Sequence, residues 1–466
     1  MSRDLHAMYK EKLCSAETAV KGVKSGDTID YVGFNGKVIE CDKALAARKD
    51  ELSDIKIYTA VCLPPVPEVV LKDPKGEVFT FGDYHFTALS RILQEQTGMF
   101  YYCPVIFAES EDYYWSAPKV DIYGKADPNK IGTVQRSHVF LQVTPMDKDG
   151  FFNFGTHNAH TLAMCESAKK VVVEINENMP YVYGGNREKI HITDVDAIVE
   201  GNNTPLAELP SAEASETDQK IASQILHYLQ DGCCIQLGIG SMPNTLGKLI
   251  NGTDLKDLGG WTEMLVDTYY DLWESGKMNG RKKNIDQGRI NFTFALGSKK
   301  LYDWVDKNIA VASNSVNYVN NIQRIGQIDN IISINQALQV DLYSQVSAES
   351  NGFKQVSGNG GMADFVQGAF WSKGGRSFIC LPATHTMKDG TLISNIVPSF
   401  ETGSIVTVTR HMVQFVVTEF GAVNLKTCAT WDRAERLISI AHPDFRDELI
   451  KEAEKRKIWR RTNKIG

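Results

Sequence analysis

The chain has 466 residues, 42% of them hydrophobic and 23% charged, with a formal net charge of −7. That is the balance of a folded globular protein too long for one ordinary core, and it needs neither disulfides nor metals to bury enough apolar surface. The negative charge argues against a dedicated nucleic-acid binder. No run approaches the roughly 18–20 apolar residues of a membrane helix, and Met1–His6 carries no apolar signal segment.

In chain order, short apolar runs alternate with amphipathic stretches. Asp27–Val32, Ile55–Val61, Val139–Val143 and Lys170–Ile175 read as strands, the last after a helix around Leu162–Ala168. Strand–loop–helix alternation of this kind predicts parallel, buried strands in an α/β fold. From about Gly201 to Thr217 the sequence turns polar and reads as a linker between an N-terminal domain over 1–205 and a C-terminal domain over 218–466. The second half restarts with a helix around Asp218–Leu229. Strands are then expected at Cys233–Leu237, Asn291–Leu296, Asn330–Ile334, Ser377–Leu381, Ser404–Val408 and Phe415–Thr418. The tail from Phe445 to Lys464 reads as a charged, solvated helix. Nine dispersed cysteines, with no CxxC pair and no zinc spacing, read as reduced thiols in a cytoplasmic protein with no metal site.

Three segments have the composition of a reactive site. Leu237–Asn244 places Gly238 and Gly240 between a strand and a helix, so its backbone can approach a ligand and the helix start can offer N–H groups to an anion. The same residues would also serve a tight turn that binds nothing. In Gly259-Gly260-Trp261-Thr262-Glu263-Met264-Leu265, Glu263 is a lone acid among apolar neighbours. Burial there would raise its pKa and strip its hydration, which suits a carboxylate nucleophile. The competing reading is a surface acid at a helix start. In Ser357–Phe365 three glycines in four positions precede a helix and form a nest of N–H groups suited to an oxyanion, or else a turn without function. Lys373 and Arg376, flanking Gly374-Gly375, suit either a phosphate or solvent. Glu419 and His442 have no identifiable partner for acid–base work.

Taken together, Gly238–Asn244, Thr262-Glu263-Met264 and Gly358–Phe365 resemble the acetyl-CoA hydrolase/transferase family. Thr144–Gly150, Glu174–Pro180, Val416–Gly421 and Ile440–Arg446 extend the resemblance over nearly the whole chain, with the 4-hydroxybutyrate and butyryl-CoA:acetate CoA-transferases as the nearest branch. It implies two similar open α/β domains with mostly parallel sheets and the active site at the domain interface. It also implies an enzyme acting on acyl-CoA and small carboxylic acids as a homodimer or higher homo-oligomer. Coenzyme A is then a substrate, and no cofactor is tightly bound. By motif position Glu263 matches the nucleophile. Gly238, Ile239, Gly240, Ser241 and Met242 match the CoA-binding loop, and Leu338, Gly361 and Lys388 match further CoA contacts. Gly360 and Asn335 are assigned to the oxyanion and loop region. Trp261 and Met362 depart from the histidine and glutamine of many relatives and suggest an apolar acyl site. The family's chemistry exchanges one thioester for another through a glutamyl-CoA thioester, which needs neither ATP nor a metal. Water in place of the acceptor acid would make the chain an acyl-CoA hydrolase. A nicotinamide oxidoreductase using Gly238–Gly240 lacks the third glycine of its fingerprint, and a non-catalytic CoA-binding protein would not need Glu263.

Overall fold

The computed structural model of the chain describes residues 4–115, 136–185, 187–209, 214–238 and 240–464. Two compact units emerge, Met1–Leu209 with Asn291–Val319, and Pro210–Ile290 with Asn320–Gly466. Each is an α/β unit built on its own twisted sheet.

The first unit has a seven-stranded sheet of β1 (Thr28–Tyr31), β2 (Ile55–Thr59), β3 (Phe79–Asp83), β4 (Phe100–Tyr102), β5 (His138–Val143), β6 (Lys170–Ile175) and β7 (Ala197–Glu200). They lie in the order β4-β3-β2-β1-β5-β6-β7, and every pairing is parallel. All six residues of β5 are buried, as a central strand covered on both faces requires. Glu174, near the end of β6 and almost wholly buried, shows how loops are fixed to this sheet. Its carboxylate accepts the N–H groups of Ile39, Glu40 and Cys41 at 2.9–3.0 Å, at the start of helix α1 (Glu40–Ala46). A negative group there satisfies donors that a helix start leaves unpaired.

The second unit has a six-stranded sheet of β8 (Cys234–Leu237), β9 (Gly259–Gly260), β10 (Ile331–Gln336), β11 (Arg376–Cys380), β12 (Phe415–Thr418) and β13 (Gly421–Asn424). Its order is β9-β8-β10-β11-β12-β13, parallel except for the closing β12–β13 hairpin. The chain runs outward one way from β8 to β9, then returns to β10 on the other side. The strand order therefore reverses between β8 and β10, and in open α/β sheets ligands bind outside the carboxyl ends at such a point.

Three features differ from the sequence reading. Residues 291–319 cluster with the first unit, because their backbone pairs there: Ala159 N–H donates to Thr293 O and Ser313 N–H to Tyr183 O, both at 2.9 Å. No linker composition marks either crossing. Ser404–Val408 is not a strand; only Val408 bridges, to Val346, and Ile405 is 47% exposed. Its amides are met instead by Ser350 Oγ and Val346 O. The tail helix is Pro443–Lys455 and is not wholly solvated, since Leu449 and Ala453 pack into the core and Ile458 is buried beyond its end. Among the described residues no helix is long and apolar enough to cross a membrane.

Replacing Glu174 with alanine strands three helix-start donors and should lower stability by about 3 kcal/mol. Urea unfolding followed by far-UV circular dichroism reads this as an earlier transition. An unchanged midpoint would mean that water satisfies those amides equally well.

Candidate active site

The candidate residues of the second unit collect around the carboxyl edge of its sheet. Gly238 follows β8, and helix α2 (Ser241–Asn251) starts from Gly240 with no side-chain cap. Gly240 has φ +122°, and a Cβ there would lie 2.9 Å from Gln336 Nε2 at the end of β10. The loop is thus pressed into the β8–β10 crevice by a backbone that only glycine adopts easily. Ser241 is half-buried and Met242 buried. Ile239, assigned to the same loop, lies outside the described residues.

Glu263 follows β9 on the neighbouring edge. The turn that carries it is fixed by Thr262, which is fully buried and whose hydroxyl lies 3.0 Å from Met264 O and 3.3 Å from Leu237 O. Trp261 N–H donates to Ile235 O. The Tyr269 hydroxyl accepts the Leu237 N–H at 2.8 Å. The next helix starts at Asp267, which supplies its first-turn acid. Glu263 is therefore not a helix-start residue, and that alternative falls.

The carboxylate of Glu263 meets two donors. Asn320 Nδ2 lies 2.6 Å from Oε2, and the Gly361 N–H also donates to it. A Cβ on Gly361 would come within 2.0 Å of both Asn320 Nδ2 and Glu263 Oε2, so the absence of a side chain there is a condition of the contact. The side chain of Glu263 keeps some surface, but its carboxylate is desolvated. Burial first, and the like charge of Asp364 second, push it from 4.5 up to about 8; the Asn320 and Gly361 hydrogen bonds oppose the rise. Gly361 precedes helix α3 (Met362–Trp371), and Gly360 has φ +52°, the left-handed turn that brings the Gly361 amide round.

The remaining candidates are less closely joined. Asn335 Nδ2 donates to Ser333 Oγ at 2.9 Å, within a buried polar group that includes Gln236 at the β8–β10 crevice. The N–H of Leu338 is taken by Ser347 O at 2.9 Å, so a backbone contact to CoA there would use its carbonyl. Lys388 follows the hairpin strand Thr384–Thr386 beyond β11, with its amine in solvent. Arg376 donates to Tyr228 O at 3.0 Å and is structural. Trp261 has no exposed surface, with Lys283 Nζ 5.2 Å from its ring, and Met362 belongs to the core. Trp261 therefore offers no surface to an acyl chain, and Met362 little.

Asn320 was not singled out by sequence. The available signal is slight: Asn321 already caps the helix Ile322–Gln327, so the adjoining asparagine is one more than the cap needs. A cleft of about 860 Å³ lies in the first unit, but it is acid-rich, with Asp147, Asp149, Glu177 and Asp306 among its walls, and contains none of the candidates.

Comparisons with known proteins identify the family. Residues 1–210 match the acetyl-CoA hydrolase/transferase N-terminal domain and residues 297–453 the C-terminal domain of the same family. The chain is 47% identical to a butyryl-CoA:acetate CoA-transferase of Anaerostipes caccae, over 98% of this chain and 99% of that one. It is 35% identical to a 4-hydroxybutyrate coenzyme A transferase of Clostridium kluyveri, over 96% and 99%. The crystal structure of RipA from Yersinia pestis superposes with a TM-score of 0.84 at 34% identity, covering 98% of this chain and all of that one.

A carboxyl group whose pKa is raised by folding keeps its proton longer in the native state than in the unfolded chain, so Glu263 costs stability as pH climbs from about 4.5 to 8. Glu263→Gln removes that cost. The variant should match the native chain near pH 4.5 and exceed it by on the order of 4 kcal/mol at pH 8. Denaturant midpoints across pH check this, and equal stability at pH 8 would mean that the carboxylate is solvated.

Proposed function

The chain belongs to the acetyl-CoA hydrolase/transferase family and is a CoA-transferase; from that premise we propose that it moves CoA between short-chain carboxylic acids through a thioester on Glu263. Butyryl-CoA and acetate are the pair that its 47% identical relative suggests. The observation that carries the reading is the desolvated Glu263 carboxylate, with Oε2 held 2.6 Å from Asn320 Nδ2 and by the Gly361 amide. The nicotinamide reading of the glycine loop falls with the family match.

One Glu263 oxygen attacks the thioester carbonyl, the C–S bond breaks and CoA leaves as thiolate, giving an acyl-glutamyl anhydride. The thiolate attacks the glutamyl carbonyl, and the donor acid departs as a carboxylate with the bridging oxygen. Glu263 is left as its CoA thioester. The acceptor carboxylate attacks that carbonyl and expels the thiolate. The thiolate then takes the acyl group of the new anhydride, restoring Glu263 with one oxygen from the acceptor. Each tetrahedral centre carries an oxyanion, and the Asn320 amide and Gly361 N–H are donors already in place for the one that forms on the glutamyl carbon. Poor hydration of the carboxylate raises its nucleophilicity, and remote CoA contacts supply binding energy that offsets the desolvation. In this reading Gly238–Met242 and the start of α2 bind CoA, with anionic groups facing the helix N-terminus.

Incubating the enzyme with butyryl-CoA and no acceptor should leave CoA on the peptide containing Trp261-Thr262-Glu263, seen by mass analysis of a digest. Glu263→Gln should abolish the adduct and lower transfer about 10⁴-fold or more. Near-native transfer by that variant would overturn the proposal. CoA release that is as fast without acetate as transfer is with it would instead identify an acyl-CoA hydrolase.

Gly240→Val places a β-branched residue at φ +122° and against Gln336. It should raise the KM for acyl-CoA about tenfold or more while the chain still folds. A folded variant with unchanged KM would remove the loop from CoA binding.

A further inference from the structure

Asn320 serves a second carboxylate besides Glu263. Asp364 lies in the first turn of α3 with no exposed surface, and its Oδ2 is 3.2 Å from Asn320 Nδ2. That nitrogen is the one 2.6 Å from Glu263 Oε2. A primary amide nitrogen carries two hydrogens, so each carboxylate takes one. At its other end Asn320 Oδ1 is buried without a hydrogen-bond partner. A flipped amide would turn its oxygen towards both acids, so the two carboxylates together hold the donor end inward.

We propose that Asp364 is a positioning residue for the transfer reaction: it pins the Asn320 amide towards Glu263, and its negative charge raises the free energy of the Glu263 carboxylate relative to the uncharged glutamyl-CoA thioester. The inference rests on the transfer reading given above.

The charge accounting is simple. Free Glu263 is an anion beside another anion, whereas the thioester and the protonated acid are both neutral. Repulsion from Asp364 therefore penalises one state, the starting carboxylate, and pushes the first half-reaction forward. Burial and Asp364 raise Glu263 to about 8. The other elements against its carboxylate present the Asn320 amide and the Gly361 N–H, and neither titrates. Asp364 is thus the ionisable group whose charge bears on Glu263 among the described residues. Because the protonated acid and the thioester share the same neutrality, two observables are tied together. Every pH unit by which loss of Asp364 lowers the ionisation of Glu263 should lower the equilibrium constant for thioester formation tenfold.

The test compares native enzyme with Asp364→Asn, Asp364→Ser and Asp364→Glu. The pH profile of kcat/KM for butyryl-CoA and the bound-CoA fraction at a fixed butyryl-CoA to butyrate ratio are both measured. In the native enzyme the activity should rise through an acid limb near pH 8. The Asn and Ser variants should shift that limb down by about one to two pH units and reduce the equilibrium constant for CoA-enzyme formation by the corresponding factor. The Glu variant keeps the charge and should keep the limb near 8 even where its rate falls. A purely structural role predicts lower rates in all three variants with the limb unmoved, and that result overturns the inference. Should the neutral variants fail to fold, a native acid limb below about pH 5.5 overturns it as well. Absence of any CoA adduct in native enzyme would refute the transfer reading itself, whereas a normal adduct with an unmoved limb and partition in Asp364→Asn would refute this inference alone.

Discussion

The second unit is organised around a carboxylate kept away from water. A hydrated carboxylate is a feeble nucleophile, and a buried one without partners simply keeps its proton. Glu263 is held between these limits by two donors, the Asn320 amide at 2.6 Å and the Gly361 N–H, and by Asp364, which shares the same Asn320 nitrogen at 3.2 Å. The remaining local features follow from this. Gly361 must lack a side chain because a Cβ would occupy the space of the hydrogen bond. Thr262 must be rigid because it fixes the turn that aims Glu263, and its hydroxyl reaches carbonyls on both sides of that turn.

The sheet supplies the frame. Reversal of strand order between β8 and β10 opens a crevice at the carboxyl edge, and Gly240 lies against Gln336 there. Glu263 leaves the adjoining strand β9. The Gly240 turn and the Glu263 carboxylate thus follow consecutive strands of one sheet, an arrangement that parallel connections produce naturally. The cost appears in stability. A carboxyl raised to about 8 costs stability at neutral pH that the Asn320 and Gly361 hydrogen bonds only partly offset.

Much of this was legible in the sequence, and what was not has physical reasons. The parallel strands announced themselves as short, mostly apolar runs because strands covered on both faces are buried along their whole length, as β5 and β12 are. Glu263 stood out because a single acid between Trp261 and Met264 is costly unless used. Asn320 did not, because its partner is 57 residues away and its neighbours carry no motif. Asp364 was visible within the Gly358–Phe365 segment, but a carboxylate facing another carboxylate through an amide is a property of three dimensions. The excursion of residues 291–319 into the first unit was hidden for the same reason: its evidence is backbone pairing with Ala159 and Tyr183, not composition. Ser404–Val408 has a strand's composition, but its amides are taken by Ser350 and Val346.

The central claim, that Glu263 is itself acylated and then released by the acceptor acid, is tested most directly by following oxygen. In a single turnover of the CoA-loaded enzyme with heavy-oxygen-labelled acetate, the acceptor's attacking oxygen becomes the bridge of the anhydride and stays behind when CoA takes the acetyl group. Mass analysis of the peptide containing Glu263 should then find one heavy oxygen in its carboxyl group, and none in Glu263→Gln. Acetyl-CoA formed with no label left on Glu263 would contradict the account.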